Sequence, residues 1–298
     1  MTIHQPIETP PHSGQRLAER PGQVETAGLS DVGRARSRNE DAYLIATLQR
    51  SMVVHDASPP GAHGWVPGET AGTLLVIADG MGGQGSGDIA SQVAVNTTVG
   101  YLLNIMPWAA ARSNVVAGRD SAPSIWSVRE QLSSALVAGD STVKAVGAQA
   151  GSPRMGTTLT MALIQFPMLY VAHVGDTRGY LWRGRELSRL TTDHTVAQQI
   201  AERDPNFLEK DSALHNMLWN SLGGSEDVAR PQLTKVPLAQ GDFILLCSDG
   251  LTKHVSDAEI SQVLATPAPL AARCAELVGR ANAAGGSDNI TVLIASIG

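Results

Sequence analysis

The stretch Leu74-Leu75-Val76-Ile77-Ala78-Asp79-Gly80-Met81-Gly82-Gly83 constrains this chain most. Five apolar residues run into a carboxylate, and the chain then turns on glycines. A near-continuous apolar run of this length predicts a strand buried on both faces. Asp79 then stands where buried regular backbone gives way to irregular backbone. The same design recurs at Phe243-Ile244-Leu245-Leu246-Cys247-Ser248-Asp249-Gly250. It runs in reverse where Gly285-Gly286-Ser287-Asp288-Asn289 feeds the apolar segment Ile290 to Ala295. Aspartates at the ends of three core strands can converge on one spot. Carboxylates brought together repel unless a cation sits between them.

The full acidic set is Glu40, Asp41, Asp79, Asp249 and Asp288. Taken singly, each has a plainer reading. Asp-Gly is a common turn signal, Asp288 can simply turn the chain, and Glu40 with Asp41 can be an exposed charged pair. Taken together, all five fall at predicted strand boundaries, beside glycines or small residues. If they converge, they offer oxygen ligands without His or Cys, which selects magnesium or manganese over zinc. An oxygen-rich site shared by two such ions holds them about 3.5–4 Å apart and activates a water between them. Arg36 lies four residues before Glu40 and would be a natural fork for two phosphate oxygens. Arg34 and Arg38 compete for that role, because alternation in an extended segment puts all three on one side.

Length and composition close off other classes. At 298 residues the chain suits one large domain or two small ones. The formal net charge is −6 and no Lys/Arg cluster stands out, which argues against a nucleic-acid groove. The two cysteines, Cys247 and Cys274, lie in apolar contexts and read as small buried hydrophobes. Their number excludes a disulfide framework or a zinc knuckle. No signal-peptide core or membrane-length apolar run occurs, so a cytoplasmic protein that does not engage membranes is expected. Residues 1–23 are rich in Pro, His, Gln, Glu and Arg and read as a disordered tail.

From Val24 onward the order of elements is legible. Strands are expected over 24–30 and 42–48, with 51–55 extending the sheet and 56–71 forming a surface loop. A helix carrying Ile89, Val93, Val99, Leu102 and Met106 follows the glycines. A second covers about 124–148, with Ile125, Val128, Leu132, Leu136 and Val143 on one side and prolines at 107 and 123 between the two. Strands are expected over 157–165, 168–174, 178–183 and 186–190. A helix over 194–203 opens a helical flap that reaches Gly224, with Leu214, Leu218 and Leu222 at four-residue spacing. Strands over 233–236 and 242–247 precede two helices, the first opened by the capping box Ser256-Asp257-Ala258-Glu259. Leu270, Cys274, Leu277, Val278 and Ala281 line the second. Segregated strands and helices, without βαβ alternation, predict an α+β fold of two packed sheets with helices outside.

These pieces resemble one family. Gly33-x-x-Arg36-x-x-Asn39-Glu40-Asp41, Ala78-Asp79-Gly80-Met81-Gly82-Gly83, Gly156-Thr157-Thr158 and Val174-Gly175-Asp176-Thr177-Arg178 appear in order. Leu190-Thr191-Thr192-Asp193-His194, Cys247-Ser248-Asp249-Gly250-Leu251 and Ser287-Asp288-Asn289-Ile290-Thr291 follow. The chain resembles the compact bacterial form of the metal-dependent type 2C serine/threonine protein phosphatases, from about Val24 to Gly298. The resemblance implies a four-layer αββα sandwich, two antiparallel sheets flanked by helix pairs, as a single catalytic domain over 24–298. It implies two Mn2+ or Mg2+ ions in a cleft at one end of the sheets. Asp79 would bridge them, Asp249 and Asp288 would complete the first site, and Glu40 with the Gly80 carbonyl would hold the second. Asp41 would stand behind these ligands, and Arg36 would hold the substrate phosphate, making Arg36 and Asp79 the catalytic residues. The Gly175 to Arg178 tag would shape the core beneath the site. The implied reaction is hydrolysis of phosphoserine and phosphothreonine by metal-activated water, on phosphoproteins made by a serine/threonine kinase, by a monomer.

Two positions depart from the family pattern. Met81 stands where some members carry a proposed general-acid histidine. Arg154 and Met155 stand where bacterial members often carry an aspartate ligand to a third ion, which puts that ion in doubt and suggests a fixed positive charge from Arg154. Three rival readings remain: a catalytically weak family member acting as a signalling binding module, a structural calcium-binding domain, which would leave Arg36 unexplained, and a relative acting on a small phosphorylated molecule.

Overall fold

The computed structural model describes residues 23–54, 64–82, 86–105, 127–204 and 212–298. The expected tail over 1–23 therefore lies almost wholly outside the described residues. Among the described residues, twelve strands form two antiparallel sheets. The first has the order β1 (Val24–Asp31), β12 (Ile290–Ile297), β11 (Phe243–Cys247), β7 (Arg178–Arg183), β8 (Glu186–Arg189). The second runs β10 (Gln232–Pro237), β6 (Met168–Val174), β5 (Leu159–Gln165), β3 (Gly64–Met81), β4 (Gly156–Thr157), β9 (Leu222–Gly223), with β2 (Asp41–Val54) paired to β3.

Side-chain parity builds the layers. Successive residues of a strand face opposite sides, so a strand that is apolar throughout must be covered twice. In β3 the Leu75 and Ile77 side chains face the other sheet, where they join Ala162 and Ile164 of β5, Ile244 and Leu246 of β11 and Leu293 and Ala295 of β12. The alternate residues Leu74, Val76 and Ala78 face outward, onto α1 (Gly87–Ile105) and α2 (Val128–Gln149). The first sheet repeats the arrangement. Leu245, Cys247, Val292 and Ile294 face outward onto α4 (Asp249–Thr252), α5 (Asp257–Ala265) and α6 (Leu270–Ala283). Among the described residues a further helix, α3 (Val196–Arg203), lies between β8 and β9 in the chain. The result is the αββα sandwich expected from the resemblance, and each central strand residue removed from water stabilises the fold by about 1.5–3 kcal/mol. Both cysteines are free and buried, as expected.

Several boundaries differ from the expectations, each for a local reason. Residues 64–71 are not loop but the first part of β3, in a long hairpin with β2. Gly and Pro there suggested a loop, but register shifts near Gln49 absorb the irregularity and let pairing continue. The rest of that expected loop, 56–63, lies outside the described residues. In α1, Ile89 is 44% exposed, and the buried row is Ala90, Ala94, Val95, Thr98 and Leu102. Ala94 and Thr98 on that row lie against Gly139 of α2, a close approach that small residues permit. Helix α2 begins at Val128, where Ser127 and Glu130 close a capping box. The expected positions Ser124, Ile125, Met106 and both prolines lie outside the described residues. The capping box of Ser256 and Glu259 forms as expected. Of the flap, α3 carries an N-cap at Thr195 and a 3-10 turn covers Ser212–Asn216, while 205–211 lie outside the described residues. Leu222 is buried in β9 rather than on a helical face with Leu214 and Leu218.

One buried acid secures this end of the second sheet. Asp140 of α2 accepts hydrogen bonds from the backbone N–H of Gly223 (2.8 Å) and Ala229 (3.3 Å) and pairs with Lys144 Nζ (2.9 Å). Strand β9 in turn pairs with β4, and β4 with the Gly80–Met81 end of β3. Replacing Asp140 by Ala leaves two buried amide donors without partners, at a cost of about 2–4 kcal/mol. Urea denaturation of Asp140→Ala should show that loss. Lys144→Ala, which removes a partly exposed ion pair and an exposed hydrogen bond to the Asp227 carbonyl (2.6 Å), should lose about 1 kcal/mol or less.

Candidate metal centre

The ends of β2, β3, β11 and β12 meet at one edge of the sandwich, and the sequence-predicted acids come with them. Asp41 and Asp79 lie directly opposite each other in the β2–β3 register. The Gly80 amide donates to the Glu40 carbonyl (3.1 Å), so the two chain segments close together just past the strand ends. A side chain at Gly80 would collide with the Gly87 carbonyl and the Glu40 backbone, so only glycine allows this approach. Asp249 opens the short helix α4 directly after β11, a helical turn where the sequence read as a strand end followed by a turn. Asp288 lies two residues before β12.

Polar side chains lock the segments to one another. Asn289 donates to the carbonyls of Val32 (2.9 Å) and Arg38 (2.8 Å), and its Oδ1 accepts from the Glu40 amide (2.8 Å). One side chain thereby fixes the loop that carries Arg36 and Glu40 to the start of β12. Gly33, at φ +80°, permits the tight return of that loop against the Asp288 carbonyl. Asp41 Oδ2 accepts from Ser248 Oγ (2.8 Å) and Thr291 Oγ1 (2.6 Å), tying β2 of one sheet to β11 and β12 of the other. Behind Asp79, its amide donates to Thr158 Oγ1 (2.9 Å), and its carbonyl accepts from the Thr158 amide (2.9 Å) and Thr157 Oγ1 (2.8 Å). The Gly-Thr-Thr motif is therefore a clamp on the backbone of Asp79.

The tags around Gly175 and Leu190 knit together beneath. The His194 amide donates to the Gly175 carbonyl (2.7 Å), and the Gly175 amide donates to His194 Nδ1 (3.1 Å). His173 bonds Thr160 Oγ1 (2.7 Å) and the Thr192 carbonyl (3.0 Å). Burial holds His173 down to about 3 and His194 down to about 4, so both rings are neutral structural elements. Arg178 grips Asp193 through Nη2 (2.7 Å), and Arg189 also pairs with Asp193.

The electrostatics single out the acids. Burial, then the charges of Asp41, Asp249, Asp176 and Asp288, push Asp79 well above the ordinary carboxylate range. Burial pushes Asp41 up to about 7 despite its two hydroxyl donors, with Asp249 and Asp288 adding repulsion. Asp176 is pushed up to about 8, by burial and then by Asp249 and Asp193. Asp249 and Glu40 are raised mainly by burial. Asp288 goes the other way: burial works against its charge, but Lys253 and Arg36 outweigh it and hold the carboxyl low. Two acid oxygens, Asp41 Oδ1 and Asp249 Oδ1, are buried without a hydrogen-bond partner. Buried anions of one sign with unpartnered oxygens are the signature of a place built for cations.

Two basic side chains reach the cluster. Arg36 Nε and Nη2 bind Asp288 Oδ1 (2.9 Å) and Oδ2 (3.0 Å) as a two-point fork. Lys253 Nζ spans Asp249 Oδ2 (2.6 Å) and Asp288 Oδ2 (3.0 Å). Among the described residues no three His, Cys, Asp or Glu stand as a ready ligand set. Sequence reasoning missed Lys253 and Asp176. Asp176 lay inside a tag read as core-shaping. Lys253 falls four residues after Asp249, a spacing that a helix starting at Asp249 would have flagged. Arg154 is exposed at the turn before β4, and Met155 is a buried core residue. Met81 ends β3, paired with Gly156.

Comparison with known proteins places this arrangement. The sequence profile of the family described as Protein phosphatase 2C matches residues 61–293. The protein phosphatase PhpP of Streptococcus pneumoniae is 32% identical over 277 residues, 92% of this chain and 98% of that protein. The solved structure of the S. agalactiae serine/threonine phosphatase superposes with a TM-score of 0.72 at 26% identity, covering 93% of this chain and all of that one. The catalytic domain of the serine/threonine phosphatase PstP, crystallised in complex with two manganese ions, superposes with a TM-score of 0.68 at 30% identity, covering 92% of this chain and 98% of that one. The acid-lined end of two stacked sheets, the ordered motifs and these similarities agree, and the chain belongs to the protein phosphatase 2C family.

Proposed function

We propose that this protein is a metal-dependent serine/threonine protein phosphatase and that the acid cluster at the sheet ends is its catalytic centre. The observation that carries the reading is that Asp79, Asp249 and Asp288, from separate chain segments, lie within electrostatic reach of one another, and Glu40 within reach of Asp288, with a buried unpartnered oxygen on Asp249. The donor set is all oxygen, which fits manganese or magnesium. The proposed assignment keeps Asp79 as the shared ligand, Asp249 and Asp288 on one side, and Glu40 with the Gly80 carbonyl on the other. When bound, a pair of such cations supplies Lewis acidity and a water nucleophile at neutral pH.

The chain's own groups do the positioning. Asp41 holds the two sheets in register through Ser248 and Thr291 and keeps its other oxygen buried without a partner, and on this reading it orders water behind the ligands. The Gly87 amide, at the start of α1, donates to the Glu40 carboxylate and fixes its orientation. Arg36, 51% exposed and within electrostatic reach of Glu40, Asp79 and Asp288, is the fork for the substrate phosphate. The Arg34 backbone donates to the Gly286 carbonyl (2.7 Å), and its guanidinium lies within electrostatic reach of Asp31. The substrates on this reading are phosphoserine and phosphothreonine proteins opposed to a serine/threonine kinase, with a monomer acting in the cytoplasm. Among the described residues no helix is long and apolar enough to cross a membrane.

Two tests follow. Asp79→Asn and Asp249→Asn should each lower manganese-dependent kcat/KM on a phosphothreonine peptide on the order of 10³-fold. Without added metal, Asp79→Asn should melt no lower than the parent, because it removes a buried charge that its neighbours repel. Full activity in both variants would overturn the assignment. Arg36→Lys keeps the charge but loses the two-point fork, and should lower kcat/KM on the order of 10-fold, mainly through KM. An unchanged KM would remove Arg36 from the phosphate site.

A further inference from the structure

Lys253 follows α4 by one residue, so its side chain returns along the helix to Asp249, four positions earlier. Its ammonium lies 2.6 Å from Asp249 Oδ2 and 3.0 Å from Asp288 Oδ2. Asp249 and Asp288 sit 39 residues apart in sequence (288 − 249) and on different elements, so this single charge joins two parts of the cluster. Asp288 has no oxygen to spare: Oδ1 takes Arg36 Nε and the Asn289 amide, and Oδ2 takes Arg36 Nη2 and Lys253. Asp249 keeps Oδ1 free and buried.

The Lys253 side chain is 33% exposed, against 18% for each acid. It reaches the acids from the solvent side on a flexible four-carbon stem and can withdraw the way it came. A lysine here is a point charge with three donors, suited to neutralise two carboxylate oxygens but not to bind them in a fixed geometry. Arg36 offers no substitute at Asp249, since its fork contacts Asp288 alone.

We propose that Lys253 is a built-in counter-cation that competes with the divalent ion for the Asp249–Asp288 pair, and so sets how much metal the protein needs. The proposal rests on the reading of this cluster as a metal centre. It assigns Lys253 two opposed effects. Without metal the ammonium holds the two acids together and stabilises the fold. With metal it must leave the oxygens it occupies, which weakens binding.

Titration calorimetry with Mn2+ alone tests this on the full chain, using the parent, Lys253→Met, Lys253→Gln and Asp249→Asn. Lys253→Met and Lys253→Gln should bind Mn2+ about 10-fold more tightly than the parent. Without metal they should melt at a lower temperature, so that the rise in Tm on adding Mn2+ is larger than in the parent. Asp249→Asn should bind Mn2+ more weakly than the parent. If binding depends on Asp249 but the folded Lys253 variants bind Mn2+ no more tightly than the parent, the counter-cation role is overturned and the metal centre stands. If Mn2+ binding is absent, or is unaffected by Asp249→Asn, the metal centre itself fails and the proposal fails with it.

Discussion

Mutual repulsion among buried carboxylates is the interaction on which the rest of this structure depends. Asp41, Asp79, Asp176 and Asp249 are all raised above the ordinary range, first by burial and then by neighbouring acids that include Asp288 and Asp193. A fold does not place like charges together in a low-dielectric setting without opposing forces. Here the opposing force is the rigid sandwich. Leu75, Ile77, Ile244, Leu246 and Leu293 lock the two sheets face to face a few residues from the acids. The apolar layers thus hold in place what electrostatics would push apart, and the strain is concentrated where chemistry is needed.

The connections around the cluster carry a second consequence. Asn289, Thr158 and Ser248 each bond a segment distant in sequence, so Glu40, Asp79 and Asp249 are positioned by neighbours that are themselves fixed. Such support limits how far a ligand can drift, which is what positioning a phosphate against a nucleophile requires. The basic side chains are different. Arg36 and Lys253 sit on flexible stems at the rim and bind only side-chain oxygens of the acids. Rigid acids and mobile bases make a centre whose charge balance can be exchanged without moving the backbone.

Much of this was legible from sequence because the signal was physical. An apolar run without alternation requires cover on both faces, and Leu74 to Ala78 has that cover. Polar or charged residues at the ends of such runs are where irregular backbone begins, which located Asp79, Asp249 and Asp288. The Ser256–Glu259 capping box marked a helix start correctly. What was not legible depended on packing between distant segments. Ile89 looked like a core residue by hydropathy, but α1 buries its small residues against α2. The hairpin of β2 and β3 continues through residues whose composition suggested a loop. Lys253 drew no attention in the sequence, because its partner Asp288 is distant in sequence and α4 is too short to leave a periodic pattern.

The central claim is that these acids share a pair of hard divalent ions. The most direct measurement is a crystal structure of the manganese-soaked protein with anomalous scattering recorded at the manganese edge. The account predicts two peaks about 3.5–4 Å apart. The Asp79 carboxylate should lie between them, with Glu40 and the Gly80 carbonyl on one peak and Asp249 and Asp288 on the other. Peaks away from Asp79, or no peak within reach of Asp249 and Asp288 at saturating manganese, would contradict it.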